Sequence, residues 1–119
     1  MEDCKDLDIL SVTTTVSSRA DALRLGYAIL ERRLAACVQI EEGLTSLYRW
    51  QGKDCEDAEV RLTIKTVPGC AEALQALFRD QHPYEVPQFV AIGMRASPAY
   101  AEWTRSEVQP RAGGEPDPV

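Results

Sequence analysis

The stretch Ala58-Glu59-Val60-Arg61-Leu62-Thr63-Ile64-Lys65-Thr66 decides the fold. Val60, Leu62 and Ile64 alternate with Glu59, Arg61, Thr63 and Lys65, so a strand here buries one face and carries charge on the other. A second β-like run, Leu44 to Gln51, precedes it, and the polar segment Gly52 to Asp57 between them reads as the turn of a hairpin. Each arm spans about 25–30 Å at ~3.3 Å per residue, longer than a small domain needs. Edges of that length call for cover, and pairing with another subunit is one way to supply it.

Upstream, Asp8 to Thr15 runs from Ile9, Leu10 and Val12 into three threonines, a buried strand ending in hydroxyls. Ser18 is placed to cap a helix, with Asp21 three residues on. Ala20, Leu23, Tyr27, Leu30 and Leu34 then make an apolar stripe that carries the helix to Leu34 or Ala35. Cys37 to Ile40 is a short strand that either leads directly into the Leu44 strand or forms a bulged part of it.

Downstream, Pro68 suits a first helical turn, and Cys70, Ala73, Leu74, Leu77 and Phe78 mark an amphipathic helix ending near Asp80. Gln81-His82-Pro83-Tyr84-Glu85-Val86-Pro87 follows, with the sole histidine of the chain between a helix and a strand. Each proline pushes the residue before it out of the helical region, so His82 and Val86 are expected to be extended. This makes a stiff corner, either a structural linker or a wall that presents His82 and Tyr84 to a ligand. Gln88 to Met94 reads as a last strand, and Ser97-Pro98 starts a third helix with Tyr100 and Trp103 on one face.

The order is β-α-β-β-α-β plus a terminal helix, which predicts an α+β, ferredoxin-like sandwich with helices on one face of an antiparallel sheet. Residues 1–7 are expected to form a flexible N-terminus, 8–108 one domain, and 109–119 a disordered tail rich in proline and glycine.

The 119 residues carry a net charge of −6, which argues against nucleic acid as a partner. No apolar run reaches the ~18–20 residues of a membrane span, and the acidic first residues are unlike a secretory leader, so a cytoplasmic protein is expected. Cys4, Cys37, Cys55 and Cys70 are scattered, a pattern of reduced thiols rather than disulfides. P-loop, G-x-G-x-x-G, G-x-S-x-G and H-E-x-x-H motifs are absent, and no nucleophile–base pair is legible, so the chain does not read as an enzyme. A lone histidine cannot build a local His/Cys zinc site, but a three-fold oligomer triples every ligand on its axis. Tyr48, Arg49 and Trp50 with Trp103 have the composition of interface anchors, or of ordinary sheet packing. Glu59 and Lys65 share a strand face but lie about 20 Å apart.

These residues resemble the CutA family of divalent-cation tolerance proteins. The matching blocks are Glu31 to Val38, Ser46 to Lys53, Glu59 to Thr66, His82 to Pro87, and Tyr100 with Trp103. The resemblance implies a compact homotrimer whose hairpins complete sheets across subunits. It implies a role in tolerance to copper and other divalent metals with no catalytic reaction and no required cofactor. His82 would be the metal ligand and Cys37 a family-pattern cysteine; Tyr48, Trp50, Glu59, Lys65, Tyr84 and Trp103 would line clefts between subunits. Gln88 stands where the family pattern carries glutamate, and Thr13 where some members carry cysteine. Two readings follow: a trimeric copper- or metal-binding protein, and a trimeric small-ligand sensor or protein scaffold in which metal is incidental.

Overall fold

The computed structural model describes residues 8–109. The elements run β1 (Ile9–Val16), α1 (Arg19–Glu31), β2 (Cys37–Trp50), β3 (Lys53–Thr66), α2 (Ala71–Gln81), β4 (Val90–Met94) and α3 (Pro98–Glu107), with a 3₁₀ turn at Pro68–Cys70 leading into α2. The sheet has the order β2-β3-β1-β4 with every neighbour antiparallel. This is the expected ferredoxin-like α+β fold with an added helix. The proposed N-terminal segment 1–7 and all of the proposed tail beyond Gln109 lie outside the described residues.

One sheet face meets the helices. Val12, Val16, Val60, Leu62 and Ile64 bury there against Ala22, Leu25 and Ile29 of α1 and Leu74, Leu77 and Phe78 of α2. The alternation read in β3 is therefore the core pattern, and it fixes the register: Val12 opposite Ile64, Thr14 opposite Leu62, Val16 opposite Val60.

The hairpin differs from its expected form. Lys53 to Asp57 are strand, not turn, and Gln51-Gly52 alone makes the reversal, with φ of 51° and 81°. Two residues with positive φ match the right-handed twist of the flanking strands. The polar residues are accommodated because β1 pairs with β3 only from Val60 on, so the outer arm is a two-stranded ribbon open to solvent. β2 is a single strand with an irregularity between Glu41 and Leu44, the bulged alternative, with Gly43 at φ 82°.

Helix α1 also differs. Its buried face is Ala22, Leu25, Gly26 and Ile29, while Tyr27 and Leu30 of the expected stripe are exposed. It ends at Glu31 rather than Leu34, because Arg33 takes a left-handed φ of 56°. The Arg33 and Leu34 N–H groups donate to the Leu30 and Ile29 carbonyls at 2.9 and 3.1 Å, a Schellman closure. The Ser18 hydroxyl accepts from the Asp21 N–H at 3.1 Å, the cap that was expected.

Candidate functional site

The Gln81–Pro87 corner is built as its prolines dictate. His82 closes α2 with extended dihedrals (φ −74°, ψ 136°), and its N–H donates to the Phe78 carbonyl at 2.9 Å. The imidazole then turns inward, 9% exposed, between the rings of Phe78 and Tyr84 at 5.3 and 5.2 Å. Both of its nitrogens are occupied. The Tyr84 N–H can only donate, so Nδ1 accepts that bond at 3.1 Å, and Nε2 holds the proton facing Thr14 Oγ1 at 2.9 Å. Burial pushes the imidazole below its ordinary range, against opposing effects from the Thr15 backbone and the charges of Asp21 and Glu59.

Tyr84 reaches the other way. Its hydroxyl donates to Glu59 Oε2 at 2.5 Å, and the Ser46 hydroxyl donates to Glu59 Oε1 at 2.6 Å. Glu59 is buried at the root of the arm, where β1 stops covering β3. Desolvation and the adjacent Glu59 carboxylate hold the Tyr84 phenol well above its usual range. Tyr48 donates to Asp57 across the arm, a bond that, with burial, lifts its phenol to about 12. Both hydroxyls thus keep their protons at any physiological pH.

Between arm and corner lies a cleft of about 610 Å³. Tyr48, Trp50 and Tyr84 with Pro83, Val86 and Pro87 form its apolar walls; Thr15, Ser46, Glu59, Glu85 and Gln88 supply its polar groups. Gln88 contributes a carbonyl oxygen that accepts a long bond of 3.4 Å from Thr15. Five of the expected cleft residues, Tyr48, Trp50, Glu59, Tyr84 and Gln88, therefore meet within one chain. Ser46 and Thr15 were not singled out. Ser46 could have been, because it shares the two-residue period of Tyr48 and Trp50 on one strand face.

The remaining expected residues lie elsewhere in the chain. Lys65 pairs with Ser11 and Cys37 at the far end of the hairpin, and Trp103 stacks with Tyr100 on α3. Cys37 is three residues along from the position opposite Ile40 and Thr14, about 10 Å, and on the opposite sheet face from Thr14 and its partner His82. Cys37 and His82 cannot hold one ion within a chain. Among the described residues no three His, Cys, Asp or Glu side chains are grouped to hold a metal. A copper ion at His82 does not fit this donor set, since both ring nitrogens are spent and no carboxylate or thiolate joins them.

A family model described as the CutA1 divalent ion tolerance protein matches residues 10–107. The chain belongs to the CutA1 family. It is 42% identical over 95 residues to the divalent-cation tolerance protein CutA of Thermus thermophilus, covering 79% of this chain and 92% of that protein. The solved Thermus structure superposes with a TM-score of 0.82 at 39% identity, over 85% of this chain and 99% of that one. The chloroplastic CutA of Arabidopsis thaliana is 34% identical over 109 residues, 91% of this chain and 60% of its own length. The chain spans about half of the mouse and human CutA proteins, 47% and 48%. The CutA of Archaeoglobus fulgidus, described as periplasmic, gives a TM-score of 0.81 at 26% identity, over 85% of this chain and 99% of that one. Periplasmic and chloroplastic relatives overturn the expectation of a cytoplasmic protein, because the fold serves in more than one compartment. Among the described residues no helix is long and apolar enough to cross a membrane.

Proposed function

We propose that this CutA1-family chain serves divalent-cation tolerance as a non-catalytic homotrimer whose cleft holds a small molecule, with metal binding incidental. The observation that carries this reading is the contrast across Tyr84. On one side His82 is consumed by internal hydrogen bonds; on the other an open cleft is lined by Tyr48, Trp50, Glu59 and Gln88. A ligand is better received by the second than by the first.

Self-association is supported by the sheet edges, β2 and β4. Val90, Ile92 and Met94 project from one face of β4 at 48%, 58% and 39% exposure, and five exposed strand residues in a row invite another strand. On this reading the domain is residues 8–108, and subunits associate through these strand edges.

Copper titration by calorimetry tests the metal clause. Wild type and His82→Ala are expected to behave alike; saturable binding that disappears in His82→Ala would restore the metal reading. Light scattering is expected to give a mass three times that of the chain.

A further inference from the structure

We propose that the cleft between the hairpin arm and the 83–88 corner binds a small organic ammonium ion, with Glu59 as its counter-charge and Trp50, Tyr48 and Tyr84 as its walls. The inference rests on the reading of this cleft as the ligand site and adds the chemical class.

The charges that line the cleft are Glu59 and Glu85, with no lysine or arginine among the lining residues. Glu59 is nine-tenths buried, yet the Ser46 and Tyr84 hydroxyls that hold it are both neutral. Two neutral donors orient a carboxylate without cancelling its charge, and each oxygen keeps a lone pair for a further partner. Three aromatic rings share the same space, and their faces attract cations. An anion would meet two carboxylates and no basic group among the lining residues, an arrangement that disfavours it.

A small metal ion is a poorer occupant. Calcium and magnesium need six or more oxygen ligands at about 2.0–2.6 Å, and the described residues bring no three acidic, His or Cys side chains together. An alkylammonium needs one counter-charge and a wide, partly apolar enclosure, which 610 Å³ bounded by Pro83, Val86 and Pro87 supplies. The chain's net charge of −6 draws such a cation in from solution.

The test uses choline and its neutral carbon isostere, 3,3-dimethyl-1-butanol, with sodium acetate as the anionic probe, all at fixed ionic strength. Binding to the full-length protein is followed by calorimetry and by the indole N–H resonance of Trp50, assigned by its loss in Trp50→Leu. Choline is expected to bind saturably and at least tenfold more tightly than the isostere. Glu59→Gln and Trp50→Leu are each expected to weaken choline about tenfold or more. Trp50 is 40% exposed, so its variant tests the site even if Glu59→Gln perturbs the fold. Equal binding of choline and isostere, or undiminished choline binding in Trp50→Leu, overturns the proposal. Acetate shifting Trp50 while choline does not would leave the cleft as the site and remove the cationic class. Silence of Trp50 toward all three probes would remove both.

Discussion

Tyr84 and Glu59, 25 residues apart in sequence, are joined by a 2.5 Å hydrogen bond that ties the proline corner to the root of the hairpin arm. The bond fixes the two walls of the cleft relative to each other. Hydrogen bonds to a charged group contribute about 1.5–3 kcal/mol. Tyr84→Phe is therefore expected to destabilise the fold by about that amount, measured by urea denaturation. Glu59→Gln should cost less in the Tyr84→Phe background than in wild type, because the bond is already gone. Strict additivity in this double-mutant cycle would show that the two side chains do not interact.

His82 sets an acid limit on stability. Its imidazole is held below the ordinary value near 6.5 by burial. A histidine depressed in the folded state binds fewer protons folded than unfolded, so it favours folding above the unfolded value. That contribution is lost as pH falls below about 6.5 and through the folded value. Protonation would also place a proton on Nδ1, which now accepts from the Tyr84 N–H. Denaturant midpoints are expected to drop on acidification from pH 7 to 5 by more in wild type than in His82→Gln. Parallel profiles would remove His82 as the sensitive group.

Arg33 is a non-glycine residue in the left-handed region, a conformation that costs about 1–2 kcal/mol. Its side chain offsets this. The guanidinium donates to the Ser106 and Glu107 carbonyls at 3.2 and 3.3 Å, capping the last turn of α3, and its own carbonyl accepts from the Gln109 N–H at 2.9 Å. Arg33→Ala keeps the strain and loses the cap, so it should destabilise by about 1 kcal/mol or more. Arg33→Gly relieves the strain and should fall closer to wild type. Thermal melts with the glycine variant below the alanine variant would contradict this account.

The contrast between β3 and α1 shows what was legible in the sequence. The alternation of Val60, Leu62 and Ile64 admits one assignment of faces, and the structure uses it. Helix α1 offers apolar residues on two sides, and helical spacing alone chose Tyr27 and Leu30 over Leu25 and Ile29. Which side is buried depends on where β1 and β3 lie, a tertiary fact. The helix end depended on the positive φ of Arg33, a conformation no sequence pattern of arginine announces. Lys53 to Asp57 misled for another reason: polarity marks a turn when strands are half-buried, and this ribbon is covered by neither helix nor β1. At the site, the prolines announced the rigid corner, but Thr14, 68 residues from His82, decides where the imidazole points. That contact spends the second imidazole nitrogen, while the aromatic strand face of Tyr48 and Trp50 stays open to the cleft.

The hairpin reversal gives a test free of packing effects. Gly52 sits at φ 81°, and a β-carbon there would meet nothing within 4 Å. Gly52→Ala must therefore act through backbone strain alone, and is expected to cost about 1 kcal/mol. Gln51 at φ 51° is also in the left-handed region, where asparagine is easier to accommodate, so Gln51→Asn should stabilise by a few tenths of a kcal/mol. Chemical denaturation of both variants checks the pair. Opposite signs are the expected result, and a neutral Gly52→Ala would mean the turn readjusts.

Ile92 carries the argument about assembly. It lies in the middle of β4, 58% exposed, between Val90 and Met94 on one strand face and opposite Ser11 of β1. A charge at this position leaves the β1–β4 hydrogen bonds untouched, because the side chain projects away from the sheet plane. In an isolated chain Ile92→Lys should change stability by less than about 0.5 kcal/mol, as an exposed surface substitution does. If β4 is covered by another subunit, the same change buries a lysine against apolar surface, and the assembly should dissociate. Light scattering is expected to fall from three times the chain mass to one, with circular dichroism showing the protomer still folded. An unchanged mass would mean that the β4 face is not an interface between copies, and that the exposed Val90, Ile92 and Met94 require a different partner.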